Sequence, residues 1–181
     1  NKQPFIEAAT IFAVAAGYLV WSSAPGVLWH DTGEFGAVGW RLSLSHPPGH
    51  PIHALLTHSG QRLFPFGDLG LRANLVSATT VALALAGLFG LMRRWIPTVK
   101  PIVAGTLALL PLGIPAIVEQ AVRSEVYGLQ LLLSVGLAHL CLAVARGEDQ
   151  RHLVLLSGLF GLAGANHSYL GLFWIPLAVV A

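Results

Sequence analysis

The chain has 181 residues, of which 55% are hydrophobic and only 10% are charged, and its formal net charge is +2. An ordinary soluble domain is about one-quarter charged, so this composition excludes a soluble domain and predicts an all-α protein that crosses the membrane several times. The few basic residues lie mostly in loops beside apolar runs, a distribution that argues against nucleic-acid binding.

Four apolar runs are long enough to be transmembrane helices, for which about 20 residues are needed. They cover residues 5–21, 75–92, 102–118 and 126–144. The chain begins without Met and ends inside another apolar run. We therefore expect residues 1–181 to form one transmembrane module that belongs to a longer protein.

The first outer loop, residues 30–74, is predicted to contain two short amphipathic helices that lie along the membrane surface. Apolar residues recur there at helical spacing: Phe35, Val38 and Leu42, then Ile52, Leu55, Leu56 and Leu63. The Pro47-Pro48-Gly49 sequence separates the two helices, because a residue before proline avoids the α region and glycine permits a turn.

Asp31 and Glu34 lie where the first of these helices begins. One interpretation is a capping box, with Asp31 as the N-cap and Glu34 as its partner at the third helical position. The other is catalytic, because a carboxylate held rigidly at the membrane border can accept a proton from an acceptor hydroxyl group. The two roles are compatible.

Four histidines follow in the same loop, at positions 46, 50, 53 and 58. Their spacing fits no standard zinc pattern, and the Pro-Pro-Gly corner prevents His46 and His50 from lying one turn apart on a helix. We expect those two side chains to hold the loop by hydrogen bonds or to contact a ligand. A divalent metal is possible here but is not favoured, so no cofactor is predicted.

The third span contains Pro111 and Pro115, which should bend it or end it early. The second outer loop then brings Glu119, Arg123 and Glu125 to the membrane border, where charged side chains are costly unless they are paired or hydrated. The guanidinium of Arg123 suits a phosphate group. The alternative is a simple Arg123–Glu119 ion pair at i, i+4.

The last two apolar regions each contain a histidine. His139, inside the fourth span, is typical of a hydrogen bond between helices. The fifth region, residues 153–181, is interrupted by ANHSY. Irregular backbone at membrane depth must be buried in protein or line a wet cavity, so Asn166 and His167 are expected to face the interior, where His167 either lines a cavity or satisfies backbone groups freed by the break.

Lys and Arg are concentrated in the loops of one side. Six of the ten basic residues are on that side: Lys2, Arg93, Arg94, Lys100, Arg146 and Arg151. Short cytoplasmic loops are enriched in these residues, so we expect a cytoplasmic N-terminus and outer loops on the periplasmic or lumenal face. The excess of Arg over Lys is typical of a GC-rich bacterium, which indicates a bacterial plasma membrane.

Four motifs occur in order along the chain: DTGEF, SHPPGHP, AVRSEVYGLQ and GLAGANHSYL. Together they resemble a polytopic membrane family long described as of unknown function, whose animal relative is the transmembrane O-mannosyltransferase of IPT domains. That family is placed with the GT-C glycosyltransferases. The resemblance therefore implies a polytopic transmembrane helical bundle corresponding to the GT-C N-terminal module. At His50 many relatives carry an aromatic or other residue instead.

The resemblance also implies a reaction, the transfer of a sugar such as mannose from a polyprenyl-phosphate donor to a protein or glycan acceptor. By motif position Asp31 is the base and Glu34 orients it or the sugar. Arg123 and His167 stabilise the charge on the leaving phosphate, with Glu125, His46, His50 and Asn166 as further binding residues. In-line attack would invert the anomeric carbon.

Two non-enzymatic alternatives stay open. The interrupted fifth region is typical of a discontinuous transporter helix, so a transporter or a non-catalytic lipid-binding module is one alternative. A purely structural membrane subunit is the other. It is disfavoured because two outer loops bring together carboxylates and an arginine that such a subunit does not need.

Overall fold

A computed structural model describes residues 3–168 of the chain, and within this range all regular secondary structure is helical. The predicted all-α class is confirmed. The helices of the described range are α1 (Gln3–Ser22), α2 (Thr32–Arg41), α3 (Pro51–Leu63), α4 (Leu69–Trp95), α5 (Pro101–Leu109), α6 (Pro115–Ala121), α7 (Val126–Ala145) and α8 (Arg151–Asn166). A 3₁₀ turn, Leu110–Gly113, joins α5 to α6.

Three helices of the described range, α1, α4 and α7, are long and apolar enough to cross a membrane. Helix α4 is the central one, since 61% of its most apolar stretch is buried, against 11% for α1. It packs against both α1 and α7. Ala78 and Ala82 of α4 and Ala15 of α1 are fully buried, because small side chains let membrane helices approach closely.

The third predicted span is broken, as its prolines predict. Helix α5 and the 3₁₀ turn that contains Pro111 run up to Ile114, and α6 starts at Pro115 with an axis bent by 82°. Proline removes a backbone donor and clashes with the preceding turn, which accounts for the break. If this bent pair is one span, the described range contains four candidate spans.

The fifth region is also interrupted where the sequence indicated. Helix α8 ends at Asn166, and His167 takes an extended backbone conformation. The second apolar part of this region, residues 169–181, lies outside the described residues.

The first outer loop contains the two predicted short helices, α2 and α3, and α4 begins at Leu69, before the predicted start of the second span. The surprise is the buried face of α3, which is polar. His53, Thr57 and Gln61 are buried at i, i+4 and i+8, whereas Leu55 and Leu63 are exposed. An outward apolar face suits a helix beside lipid, although its position at the membrane surface stays a prediction.

The basic loops lie at one end of the bundle. Arg94 at the end of α4 binds the Glu148 carboxylate with both N–O distances at 2.6 Å, and Arg146 donates to the Arg94 carbonyl oxygen at 2.9 Å. The α4–α5 and α7–α8 loops are therefore neighbours. The segment between α1 and α2 and the second outer loop meet at the opposite end, beside the first turns of α4.

Candidate functional site

The first outer loop brings two carboxylates and an imidazole together. One donor atom each from Asp31, Glu34 and His46 lies within 4.8 Å of the others. The hydrogen bond to Glu34 raises the pKa of His46 most, and the charges of Asp31 and of Glu125, which lies on the second outer loop, raise it further. Asp31, Glu34 and His46 thus form one group in the first outer loop.

Asp31 is the N-cap residue of α2 by position, but its side chain makes no capping hydrogen bond. The capping-box interpretation is wrong for that reason. The side chain is exposed, and the residue before it, His30, has a φ of 61°. A non-glycine residue in the left-handed region is strained, and such strain is concentrated at functional sites. The Asp31 carboxylate is therefore not used by its helix.

Glu34 is bound to His46 rather than to the start of α2. Its carboxylate accepts hydrogen bonds from the His46 backbone N–H at 2.5 Å and from the ring Nδ1 at 2.9 Å. This pairing lowers the pKa of Glu34 and raises the pKa of His46. The bonds hold the segment after α2 against its first turn. Part of the prediction for His46, that it fixes the loop, is confirmed.

His50 closes the end of α8. Its Nδ1 lies 2.5 Å from the backbone carbonyl oxygen of Asn166, and because a carbonyl only accepts, Nδ1 is the donor in this bond. The Asn166 side chain donates to the Val126 carbonyl at 3.2 Å and to Gln130 Oε1 at 3.0 Å. Asn166 is fully buried, so the predicted interior position of this residue is confirmed.

Aromatic and imidazole rings fill the space between these groups. Phe35 is buried, with its ring centroid 5.0 Å from that of His53 and 5.6 Å from that of His50. His50 stacks on His167 at 5.6 Å, and Tyr127 lies 5.8 Å beyond His167. Burial lowers the pKa of His53 to about 4, so this histidine is neutral packing rather than a charged ligand group.

Arg123 lies between two glutamates on the second outer loop. Its guanidinium is 3.2 Å from the Glu119 carboxylate and 3.3 Å from the Glu125 carboxylate. The i, i+4 pair with Glu119 is therefore present, but it is not the whole arrangement. Glu119 is exposed, whereas the side chains of Arg123 and Glu125 are only 8% and 6% exposed. Burial raises the pKa of Glu125, and Arg123 partly opposes that increase.

The four-histidine metal alternative is not formed in the described part of the chain. Between residues 3 and 168, the group of acidic, histidine and cysteine side chains with donor atoms close enough for a metal contains His46 but none of the other three. His58 donates to the Gly39 carbonyl oxygen at 2.8 Å instead. His139 is 2.9 Å from the Gly87 carbonyl oxygen of α4, which confirms the predicted bond between helices.

Sequence reasoning missed the residue that joins the two loops. Asn74 is fully buried on α4. Its amide donates to the carbonyl oxygens of Ala24 at 3.0 Å and Gly26 at 2.9 Å, and its oxygen accepts from the Ser124 N–H at 2.8 Å. The sequence does contain a signal for this role. Asn74 is an amide at the start of an apolar span, and such a side chain must find hydrogen-bond partners inside the protein.

Comparison with known proteins gives two findings. Residues 31–181 match the family described as the Protein O-mannosyl-transferase TMEM260 N-terminal domain. The chain is also 39% identical over 59 residues to the mouse (Mus musculus) Protein O-mannosyl-transferase TMEM260. That match covers 33% of this chain and 8% of the mouse protein. No solved structure matches the chain.

Proposed function

This chain belongs to the family of the Protein O-mannosyl-transferase TMEM260 N-terminal domain, and we propose on that premise that it carries the site of a membrane glycosyltransferase. The proposed reaction transfers a sugar, mannose in the first instance, from a polyprenyl-phosphate carrier to a hydroxyl group of a protein acceptor. The observation that carries the proposal is the exposed Asp31 carboxylate, which its helix does not use and which lies in one group with Glu34 and His46.

The proposed step is an in-line displacement. The Asp31 carboxylate takes the proton of the acceptor hydroxyl while the hydroxyl oxygen forms a bond to the anomeric carbon. The bond from that carbon to the carrier phosphate breaks, and its electron pair leaves with the phosphate. The configuration at the anomeric carbon inverts. Glu34 and His46 hold the loop after α2 and so keep Asp31 in its position.

Arg123 is the proposed partner of the leaving phosphate. Its pair with the exposed Glu119 is of the kind that contributes little to stability, so a phosphate can replace that carboxylate while the buried Glu125 still neutralises part of the guanidinium charge. A charge that develops only as the phosphate leaves is where a fixed cation lowers the barrier. We also place His167 and His50 beside this phosphate or the sugar.

The second outer loop also borders an apolar groove suited to a lipid carrier. This groove has a volume of about 260 Å³ and is lined by Val81, Ile117, Gln120, Tyr127 and Leu131, among others. Tyr127 follows Glu125 by two residues, so an isoprenoid chain in the groove would have its phosphate near Arg123. This continuity supports a lipid-linked donor over a soluble nucleotide sugar.

We propose that no metal takes part in this step. Asp31, Glu34 and His46 offer donor atoms of the kind that a divalent cation accepts. However, the Glu34 carboxylate and the His46 ring are already hydrogen-bonded to each other. The proposed leaving group has a single phosphate, and Arg123 is the proposed cation beside it. Treatment with EDTA should leave the transfer rate unchanged, and a loss restored by Mg²⁺ or Mn²⁺ would contradict this.

We propose a bacterial plasma membrane with a cytoplasmic N-terminus and the site on the outer face. The support for this orientation is that Arg94 and Arg146 lie at one end of the bundle, whereas Asp31 and Arg123 lie at the other. An impermeant thiol reagent added to intact cells should label Trp29→Cys and not Glu148→Cys in a background from which every native cysteine, Cys141 included, has been removed. The reverse labelling would invert this topology.

The test of the function is a transfer assay in membranes that contain the whole protein. Radiolabelled mannose on polyprenyl phosphate is the donor, and Asp31→Asn is compared with wild type and with Asp68→Asn. Asp68 is the matched control because its carboxylate does cap a helix, accepting from Leu71 N–H at 2.7 Å, and asparagine keeps that capacity.

Removal of a general base costs about 10²- to 10⁴-fold, so we expect Asp31→Asn to lose transfer at wild-type accumulation while Asp68→Asn retains it. Equal rates in wild type and Asp31→Asn would remove Asp31 from the reaction. Transfer by none of the three proteins would reject this donor and favour the transporter alternative.

A further inference from the structure

We propose that Asn74 is the positioning residue that sets the distance between the two halves of the site, and this proposal rests on the proposed function. The base Asp31 ends the segment between α1 and α2, residues 23–31, which is called the first loop below. The phosphate partner Arg123 belongs to the second outer loop, residues 119–125, which is called the second loop. Within residues 3–168, no side chain of either loop is hydrogen-bonded or ion-paired to the other loop. The connection is made by α4, which contributes no candidate catalytic residue.

Asn74 uses the hydrogen-bonding capacity of its amide on both loops. The nitrogen donates twice to the first loop, to Ala24 and Gly26, and the oxygen accepts from Ser124 of the second. A carboxamide is needed because a carboxylate has no donors and a hydroxyl has one. If the amide were turned by 180°, its oxygen would face the two carbonyl oxygens and no bond could form. These bonds therefore fix the orientation of the amide.

Two further contacts make the junction specific. The Ala24 N–H donates to the Val122 carbonyl oxygen at 3.1 Å, which is a direct backbone bond between the loops. One turn after Asn74, Ser77 accepts from the Glu125 N–H at 3.1 Å and donates to its carbonyl oxygen at 3.3 Å. Ser77 therefore holds only the second loop, whereas Asn74 holds both.

The same face of α4 lets the first loop approach closely. A Cβ atom added at Gly70, one turn before Asn74, would lie 2.6 Å from the Val27 backbone nitrogen. The first loop thus runs directly against the helix there, four residues before Asp31. A small error in its position is transmitted to the base, and misplacement of a reacting group by 1 Å can cost about 100-fold in rate.

The experiment compares Asn74→Ala with Ser77→Ala and with Thr79→Ala. Thr79 is the matched control because its hydroxyl bonds only to the Leu75 carbonyl oxygen of its own helix, at 2.7 Å. For each protein in membranes or detergent, we would measure amide hydrogen exchange by region and the kcat and donor KM of mannosyl transfer per mole of folded protein.

We expect Asn74→Ala to raise exchange in both loops, residues 23–31 and 119–125, and not within α1, α4 or α7. Its kcat should fall about 100-fold. The donor KM should stay within about twofold, because each loop keeps its own side chains. Ser77→Ala should raise exchange in residues 119–125 alone, and Thr79→Ala should match wild type in every measurement.

Three results would overturn the inference. Unchanged exchange in Asn74→Ala would mean that the residue does not join the loops. Raised exchange with an unchanged kcat in Asn74→Ala would mean that the contact between the loops does not affect the reaction. Exchange raised throughout the bundle would make Asn74 a residue of general stability. If wild type itself transfers no sugar, the proposed function fails, and the catalytic part of this inference fails with it. The exchange pattern then decides only whether Asn74 joins the loops.

Discussion

The buried pair of Arg123 and Glu125 allows its structural role to be separated from its proposed chemical role. Arg123→Met removes the cation while keeping an unbranched side chain, and Glu125→Gln removes the anion while keeping the shape. We expect Arg123→Met alone to be strongly destabilised, because it leaves Glu125 charged, buried and without its partner. The double variant removes both charges and should recover most of the lost stability.

The size of the effect follows from the geometry. The two charged groups are 3.3 Å apart, and at an effective dielectric constant of about 20 this corresponds to an attraction of about 5 kcal/mol. Loss of one partner from a buried pair typically costs about 3–5 kcal/mol, so we expect that range for Arg123→Met. Glu119 is exposed, and Glu119→Gln should cost less than about 1 kcal/mol.

The assay is denaturant unfolding of the four variants and wild type in detergent, followed by transfer measurements at equal amounts of folded protein. If Arg123 acts on the leaving phosphate, the double variant should regain stability but not activity. An Arg123→Met variant as stable as wild type would refute the buried-pair energetics. Activity restored together with stability in the double variant would instead refute the phosphate role.

Two further outcomes test the geometry around the site. The hydrogen bond to His46 lowers the pKa of Glu34 from 4.5, and the bond to Glu34 raises the pKa of His46 from 6.5. Their contribution to stability should therefore be lost as pH falls through the lowered pKa of Glu34 or rises through the raised pKa of His46. In unfolding experiments over pH, His46→Gln should lack the alkaline loss that wild type shows, and identical profiles would contradict this. Gly70→Ala should destabilise by about 1–3 kcal/mol, because its Cβ would lie 2.6 Å from the Val27 nitrogen, whereas Gly17→Ala, with no atom within 4 Å, should not; equal unfolding midpoints for the two would contradict the close approach.

The membrane helices were predictable because their signal is local. A run of apolar residues of the right length specifies a spanning helix whatever its neighbours are, and α1 and α7 end within two residues of the predicted bounds. The bend at Pro115 was predictable for the same reason, since the clash of proline with the preceding turn does not depend on tertiary contacts.

The arrangement of Glu34 was not predictable from a local rule. Its spacing from Asp31 matches a capping box, yet its carboxylate binds His46, twelve residues later, with two hydrogen bonds. A capping box would give this carboxylate one backbone N–H, whereas His46 gives it two donors, so the more distant partner prevails once the left-handed turn at Leu42, with a φ of 52°, brings it close. The sequence contains both partners but not the path of the loop between them.

The contacts that could not be predicted from the sequence are those of the buried polar residues. In a soluble protein the polar face of α3 would be placed towards water, but here His53, Thr57 and Gln61 face inwards, an arrangement that suits a helix whose apolar face contacts lipid. The same reasoning is enough to assign Asn74 and Ser77 to the interior of the bundle. The partners of Asn74 are 50 residues away in both directions along the chain, and neither periodicity nor a short motif identifies partners at that distance. The sequence therefore identifies the catalytic candidates of each loop separately, whereas the contacts of α4 show how the two loops are held beside each other.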